Sequence, residues 1–221
     1  MRNLISISGK IGSGKDTVGN IILFLLHKEH LKATDLQFDP NIDYSYGSHG
    51  FQIRKIAGKL KQIASILTGI SAENFESQEF KKMQMHSCWG MTYREFLQKI
   101  GTDAMRNGLH EDTWLNAFWV DYNPIGGKMI SPKYPKDYTS GRFEFPNWII
   151  TDVRFENEYN SVKERGGLMI KVERPGIETQ SHASETGLDH ITDWDWVIQN
   201  DRTIEDLISM VKDILKIEKI L

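Results

Sequence analysis

The chain has 221 residues, 26% of them charged and 39% hydrophobic, with a formal net charge of −3. Such a length suits one α/β domain with insertions and can bury a core, while the near balance of charge excludes bulk attraction to nucleic acid. A single cysteine, Cys88, excludes a disulfide framework; with no signal-peptide pattern at the start and no apolar run longer than Ile21–Leu26, a soluble intracellular protein is expected.

The first element is a short apolar strand, Leu4 to Ser8, and residues 9–17 follow it as Gly-Lys-Ile-Gly-Ser-Gly-Lys-Asp-Thr. Strand, Gly-rich turn and helix start are the context of a phosphate-binding P-loop. Gly12 and Gly14 let backbone N–H groups approach an anion, with Ser13 between them. The helix opening near Gly14 aims its positive end at the same point. Lys15 supplies a mobile cation for β- and γ-phosphates. The position after the lysine, usually a Ser or Thr that serves Mg²⁺, is Asp16, whose carboxylate suits the metal directly or through water. Thr17 is then available to a nearer phosphate.

Val18 to His30 reads as a helix buried on more than one side. A strand is expected around Ala33–Phe38, then a loop or mobile insertion over Asp39–Gly50. Four helical stretches run from about Ile53 to Tyr122, broken near Gly69, Cys88–Thr92 and Gly108–Glu111. Periodicity vanishes between Asn123 and Pro146, which reads as an inserted hairpin or loop. Order returns with a strand at Trp148–Thr151 ending on Asp152, a helix Glu156–Arg165 and a strand Leu168–Val172. Pro175–Asp189 is polar, a candidate flap. Trp196–Ile198 is the last strand, ending near Asn200, and Thr203 caps a final amphipathic helix.

Alternating strands and helices predict a parallel sheet sandwiched by helices. Ligands of such sheets sit at the carboxyl ends of the strands, where the 9–17 loop, Asp152–Arg154 and Asn200 all fall. Asp152 just beyond a buried strand can orient metal-bound water or an attacking oxygen, and Arg154 can clamp a phosphate bidentately. A local ion pair of Arg154 with Glu156 or Glu158 is the other reading.

Arg94, Gln98, Thr102 and Arg106 recur every four residues, drifting about 40° per step on α-helical geometry. This stripe could hold a base edge at one end and a phosphate at the other; a solvated face is the alternative. Lys59, Lys61, Lys81 and Lys82 are candidate phosphate contacts, with charges on an exposed helix face as the commoner reading. Trp114 and Phe118 read as core or as a stacking platform. His182-Ala183-Ser184-Glu185 lies in the flap, and no metal-ligand spacing of His or Cys is visible.

On these residues the sequence resembles the deoxynucleoside monophosphate kinases of tailed bacteriophages, within the P-loop nucleoside-monophosphate-kinase group. The resemblance runs through Ser13-Gly14-Lys15-Asp16-Thr17, Arg94-Glu95-Phe96-Leu97-Gln98 with Gly101-Thr102, Arg106 and Trp114, Asp152 to Glu158, and His182 to Asp189. It implies ATP as donor, Mg²⁺, and a deoxynucleoside 5′-monophosphate as acceptor. It further implies that Gly12, Ser13, Gly14, Lys15, Asp16 and Thr17 hold the ATP phosphates, with Asp16 on the metal. Arg94, Gln98, Thr102, Arg106, Lys61 and Trp114 would face the acceptor, and Lys15, Asp152 and Arg154 would serve the transfer.

The implied organisation is one P-loop kinase domain over 1–221, with a core at about 1–38 and 147–221. A helical acceptor-binding region at about 51–122, an insertion at about 123–146 and a lid-like segment complete it. A homodimer is common among such enzymes, and the host cytoplasm is the expected location if the chain is phage-encoded. Glu185 to Asn200 is also similar to animal phosphomevalonate kinases, which leaves a non-nucleotide acceptor as one alternative. A P-loop protein that binds nucleotide without turnover is the other, though such a binder needs no second set of phosphate-binding arginines.

Overall fold

Five short apolar runs become the strands of one parallel sheet: β1 (Leu4–Ser8), β2 (Phe51–Arg54), β3 (Asn147–Ile150), β4 (Leu168–Glu173) and β5 (Trp196–Gln199), in the order β2-β3-β1-β4-β5. The computed structural model describes residues 2–86, 88–123, 145–177 and 186–221. By its internal contacts the chain divides into two units, Met1–Arg54 with Tyr122–Leu221, and Lys55–Asp121. Among the described residues no helix is long and apolar enough to cross a membrane.

In the first unit β1 lies at the centre of the sheet and is buried along its whole length. Ile5 and Ile7 pack with Ile149, Ile170 and Ile198 against α1 (Lys15–Leu31) and the C-terminal helix Ile204–Ile217. Leu4, Trp148 and Met169 alternate with them and are buried too. By the two-residue period of a strand they face the other side, where the helix Glu156–Glu164 packs on β1 and β4. The sheet is therefore covered on both faces, as all-parallel sheets require. Thr203 and Asp206 form a capping box that opens the C-terminal helix.

The strand expected at Ala33–Phe38 does not form. Those residues lie outside regular structure, and Leu36 and Phe38 pack on the core beside α1, with Phe38 and Tyr44 edge-on to Phe24 at 5.5 and 5.2 Å. The edge strand is instead β2, which pairs with β3 from Phe51↔Asn147 to Arg54↔Ile150. Apolar alternation marks both segments alike, and four residues after a loop are too few to distinguish the one that pairs.

The second unit is helical: α2 (Gly58–Thr68), a 3₁₀ turn (Ala72–Glu76), α3 (Gln78–Lys82), α4 (Tyr93–Gln98) running directly into a π-helical stretch (Lys99–Asn107), and α5 (Thr113–Trp119). Ala64, Phe75, Met85 and Phe96 form its core. Thr92 and Glu95 form the capping box that starts α4. The helices following β3 and β5 are α6 (Glu156–Glu164) and α7 (Ile204–Ile217).

Candidate active site

The loop between β1 and α1 takes the shape its glycines allow. Gly12 and Gly14 have φ of 84° and 96°, in the left-handed region that L side chains avoid. Gly14 is the N-cap of α1, and the first intrahelical bond runs from the Val18 N–H to the Gly14 carbonyl. The amides ahead of it face out of the helix end, where the dipole also favours an anion. Lys15 opens the helix with its residue only 7% exposed, its ammonium 3.9 Å from Asp16 Oδ2. Ser13 is used differently: its N–H donates to the Lys10 carbonyl at 3.0 Å, and its buried hydroxyl has no hydrogen-bond partner among the described residues. Thr17 is half-buried on the first turn.

Asp16 is held from the neighbouring strand. Thr151, fully buried just past β3, donates its hydroxyl to Asp16 Oδ1 at 2.9 Å. Gly19 makes that approach feasible, since a Cβ there would meet Thr151 Cγ2 at 2.8 Å. Asp152 follows Thr151 and is half-buried. The donors at this end are thus hard carboxylate oxygens on two adjacent elements. No group of three or more His, Cys, Asp or Glu able to hold a metal exists among the described residues. That donor set fits Mg²⁺, which is usually bound by one or two carboxylates, water and substrate phosphates rather than by a protein cage.

Arg154 is set by the turn into α6. Ser8 Oγ donates to the Val153 carbonyl at 2.8 Å, tying the segment to β1. Glu158, only 4% exposed, accepts the N–H groups of Arg154 at 2.8 Å and Phe155 at 3.2 Å through one oxygen. Glu156 meets His190 at 3.2 Å. Glu158, considered from sequence as an ion-pair partner of Arg154, therefore also fixes the backbone from which that arginine projects. Arg154 lines a cavity of about 340 Å³ together with Gly9, Lys10, Ser13, Arg174 and Trp194.

Within the helical unit, Arg94, Gln98, Thr102 and Arg106 are all half-buried, whereas Glu95, Lys99 and Asp103 are exposed. The stripe is thus distinct from the solvated face. The expected 40° drift holds only as far as Gln98. A π turn, closed by i→i+5 bonds, takes more than four residues, so beyond Gln98 the drift runs back and the stripe straightens. Arg94 donates to Gln78 Oε1 at 2.8 Å and Arg106 Nε to the Glu111 carbonyl at 3.1 Å.

Trp114 is 7% exposed and donates its indole N–H to the Gly101 carbonyl at 2.8 Å. It is a core residue that braces the π stretch from behind. Lys61 is bonded to Glu76, which Lys55 also meets at 2.8 Å. Burial pushes the Glu76 carboxyl up, but the two lysines outweigh it and hold the group below its ordinary value. Lys59 donates to the Ala117 carbonyl at 2.6 Å and to Asp121 at 3.1 Å.

His182 to Glu185, and residues 124–144 of the expected insertion, lie outside the described residues. Sequence reasoning missed Thr151, the capping role of Glu158 and the π stretch. Glu158 carried a local signal, an acidic residue at the third position of a helix, and the π stretch carried a polar period of four; Thr151 carried none.

Two comparisons bear on this arrangement. The sequence profile of the family described as deoxynucleotide monophosphate kinase matches residues 46–211. That span holds the Arg94–Arg106 stripe and Asp152–Arg154 but begins after the P-loop, so the two signals are independent. A protein of Acanthamoeba polyphaga mimivirus, provisionally named a deoxynucleotide monophosphate kinase, is 30% identical over 217 residues, covering 94% of this chain and 93% of its own. The deoxynucleotide monophosphate kinase of Enterobacteria phage T4 is 31% identical over 125 residues, 56% of this chain and 45% of its own; that of Escherichia phage RB69 is 31% identical over 124 residues, 56% and 44%. The matched segments thus span under half the length of the two phage proteins.

Proposed function

This chain belongs to the deoxynucleotide monophosphate kinase family, and on that footing we propose that it transfers the γ-phosphoryl group of ATP to a deoxynucleoside 5′-monophosphate, yielding ADP and the diphosphate. The observation that carries the reading is the P-loop at the β1–α1 junction, with Lys15 buried at its mouth and Asp16 tied to the β3 end that bears Asp152 and Arg154. Relatives named for this activity favour it over a phosphomevalonate-type acceptor or a binder without turnover.

In the transfer, an oxygen of the acceptor phosphate forms a bond to the γ-phosphorus while the bond to the β–γ bridging oxygen breaks. The acceptor oxygen is already anionic, so positioning and charge neutralisation supply the catalysis. The amides around Gly12 and Gly14 cradle the β-phosphate, Lys15 follows the charge as it spreads over the transferring oxygens, and Thr17 takes a nearer phosphate. Ser13 shapes the loop. Asp16 would hold Mg²⁺ and Asp152 would orient its water; when bound, the ion would supply neutralisation of β- and γ-phosphate charge. Arg154 bridges the transferring and acceptor phosphates. The Lys55–Asp121 unit binds the acceptor through Arg94, Gln98, Thr102 and Arg106, braced by Trp114. Lys61, paired with Glu76 in the structure, is a further phosphate contact once that pair opens. The expected location is the cytoplasm, the host's if the chain is phage-encoded.

The test is coupled ADP release with ATP and Mg²⁺ against dTMP, dGMP, dCMP, dAMP, their ribose forms and phosphomevalonate. ADP release that depends on one or two deoxynucleotides is expected. Release with phosphomevalonate alone would reassign the acceptor, and ATP binding with no acceptor-dependent release would remove the enzyme reading.

A further inference from the structure

Resting on the donor site just described, we propose that Asn200 is the positioning residue of the P-loop, fixing the orientation of the Ser13–Gly14 peptide so that its N–H, and not its carbonyl, faces the donor phosphates. Asn200 lies one residue beyond β5. Its backbone N–H donates to the Glu173 carbonyl at 2.7 Å, which extends the β4–β5 ladder and anchors the residue to the sheet. From that anchor its side chain reaches the loop and donates Nδ2–H to the Ser13 carbonyl at 2.8 Å, across 187 residues of sequence. A carbonyl can only accept, so the amide nitrogen must be the atom that faces it.

The partner peptide is the one that most needs holding. Ser13 sits between two glycines with positive φ, where the chain has the least side-chain restraint on flipping a peptide plane. Among the described residues its hydroxyl has no hydrogen-bond partner, and its N–H is committed to Lys10. In a trans peptide the C=O and the next N–H point in opposite directions. Holding the Ser13 carbonyl against Asn200 therefore turns the Gly14 N–H away from it. A flipped plane would aim a carbonyl dipole at a polyphosphate instead. The amide is also packed on the loop itself: a Cβ on Gly14 would lie 2.4 Å from Asn200 Nδ2.

The experiment measures ATP affinity by calorimetry, without acceptor, for wild type, Asn200→Ala and Asn200→Asp, with steady-state KM for ATP and for the preferred deoxynucleotide alongside. Losing one well-placed hydrogen bond should weaken ATP about tenfold in Asn200→Ala. Asn200→Asp keeps the shape but sets a carboxylate against the Ser13 carbonyl, which favours the flipped plane, so it should weaken ATP further still. The acceptor KM and the thermal midpoint should stay near wild type in both. A residue that merely fills space predicts the reverse order, with the isosteric Asp the milder change. That order overturns the proposal, as do wild-type ATP affinity in both variants or equal losses for ATP and acceptor. Wild-type protein that binds ATP yet phosphorylates no deoxynucleotide fails the kinase reading alone; wild type that binds no ATP fails both.

Discussion

The Thr151 hydroxyl donates to Asp16 Oδ1 at 2.9 Å, joining the first turn of α1 to the end of β3 across 135 residues of sequence. The bond takes up one oxygen of a carboxylate whose side chain is still 56% exposed, and the other oxygen lies 3.9 Å from the Lys15 ammonium. A Ser or Thr in the usual position would offer a hydroxyl to the metal; on the proposed reading a charged oxygen, oriented by a neighbouring hydroxyl, would stand in its place. Orientation by a second residue narrows the geometry of a hard-metal ligand in the way that outer-shell partners generally do.

Removing that partner should be felt through the metal. Thr151→Val preserves shape in a fully buried position and deletes only the donor. Asp16 remains but is no longer held by Thr151. We expect the Mg²⁺ concentration for half-maximal activity to rise about 10-fold, the low end of the range of about 10–100-fold for outer-shell substitutions. An unchanged Mg²⁺ titration would remove Asp16 from the metal.

Lys15→Ala should lower kcat by about 10²–10³-fold, the scale of losing one preorganised charge at a developing anion. The side chain is nearly buried at the helix start yet belongs to no apolar cluster, so the far-ultraviolet circular dichroism should be unchanged. Turnover near wild type would exclude Lys15 from the transfer.

Glu158 offers a test of how Arg154 is held. Glu158→Ala removes the acceptor of two half-buried backbone N–H groups, for about 1–3 kcal/mol of stability. Glu158→Gln keeps an acceptor oxygen and should be the milder change. If Arg154 bridges the phosphates, kcat should fall in the same order as stability, Ala below Gln, at a temperature where both variants are folded. Wild-type kcat in a folded Glu158→Ala protein would detach this turn from catalysis.

What the sequence revealed and what it hid divide along a physical line. The P-loop is legible because its geometry is local: Gly12, Gly14 and Lys15 encode a backbone path within a few residues. The helix breaks at Gly69 and Gly108 are legible for the same reason. Bonds such as Thr151 to Asp16 and Asn200 to Ser13 depend on which strands become neighbours, and no spacing encodes that. The segment 33–38 shows the converse failure, where alternation is genuine but its apolar residues cover a helix rather than join a sheet. The π stretch left one trace, a polar period of four that an α-helix would carry off the face.

The Glu76 pair with Lys55 and Lys61 sets a pH dependence within the helical unit. The folded carboxyl lies below its ordinary value of 4.5, because the lysine bonds and charges outweigh the upward push of burial. Its contribution is therefore complete above 4.5 and is lost as pH falls through the lower folded value. The thermal midpoint of wild type should exceed that of Glu76→Gln near pH 7, and the gap should close as the pH is lowered below 4.5. A gap that persists undiminished into that acid range would show that Glu76 acts by packing, not by charge.

Trp114 tests whether the π geometry matters to the acceptor. Its indole N–H is the donor to the Gly101 carbonyl at 2.8 Å, behind the stretch where the stripe straightens. Trp114→Phe keeps an aromatic ring in the core but deletes the donor, leaving a carbonyl in a buried glycine without that bond. The stretch can then recover α-helical winding, which would carry Thr102 and Arg106 off the line set by Arg94 and Gln98. The expected signature is a severalfold higher KM for the deoxynucleotide with the KM for ATP unchanged. Equal effects on both substrates would mean that the substitution loosens the unit as a whole, and no effect on either would mean that the acceptor does not read this stripe.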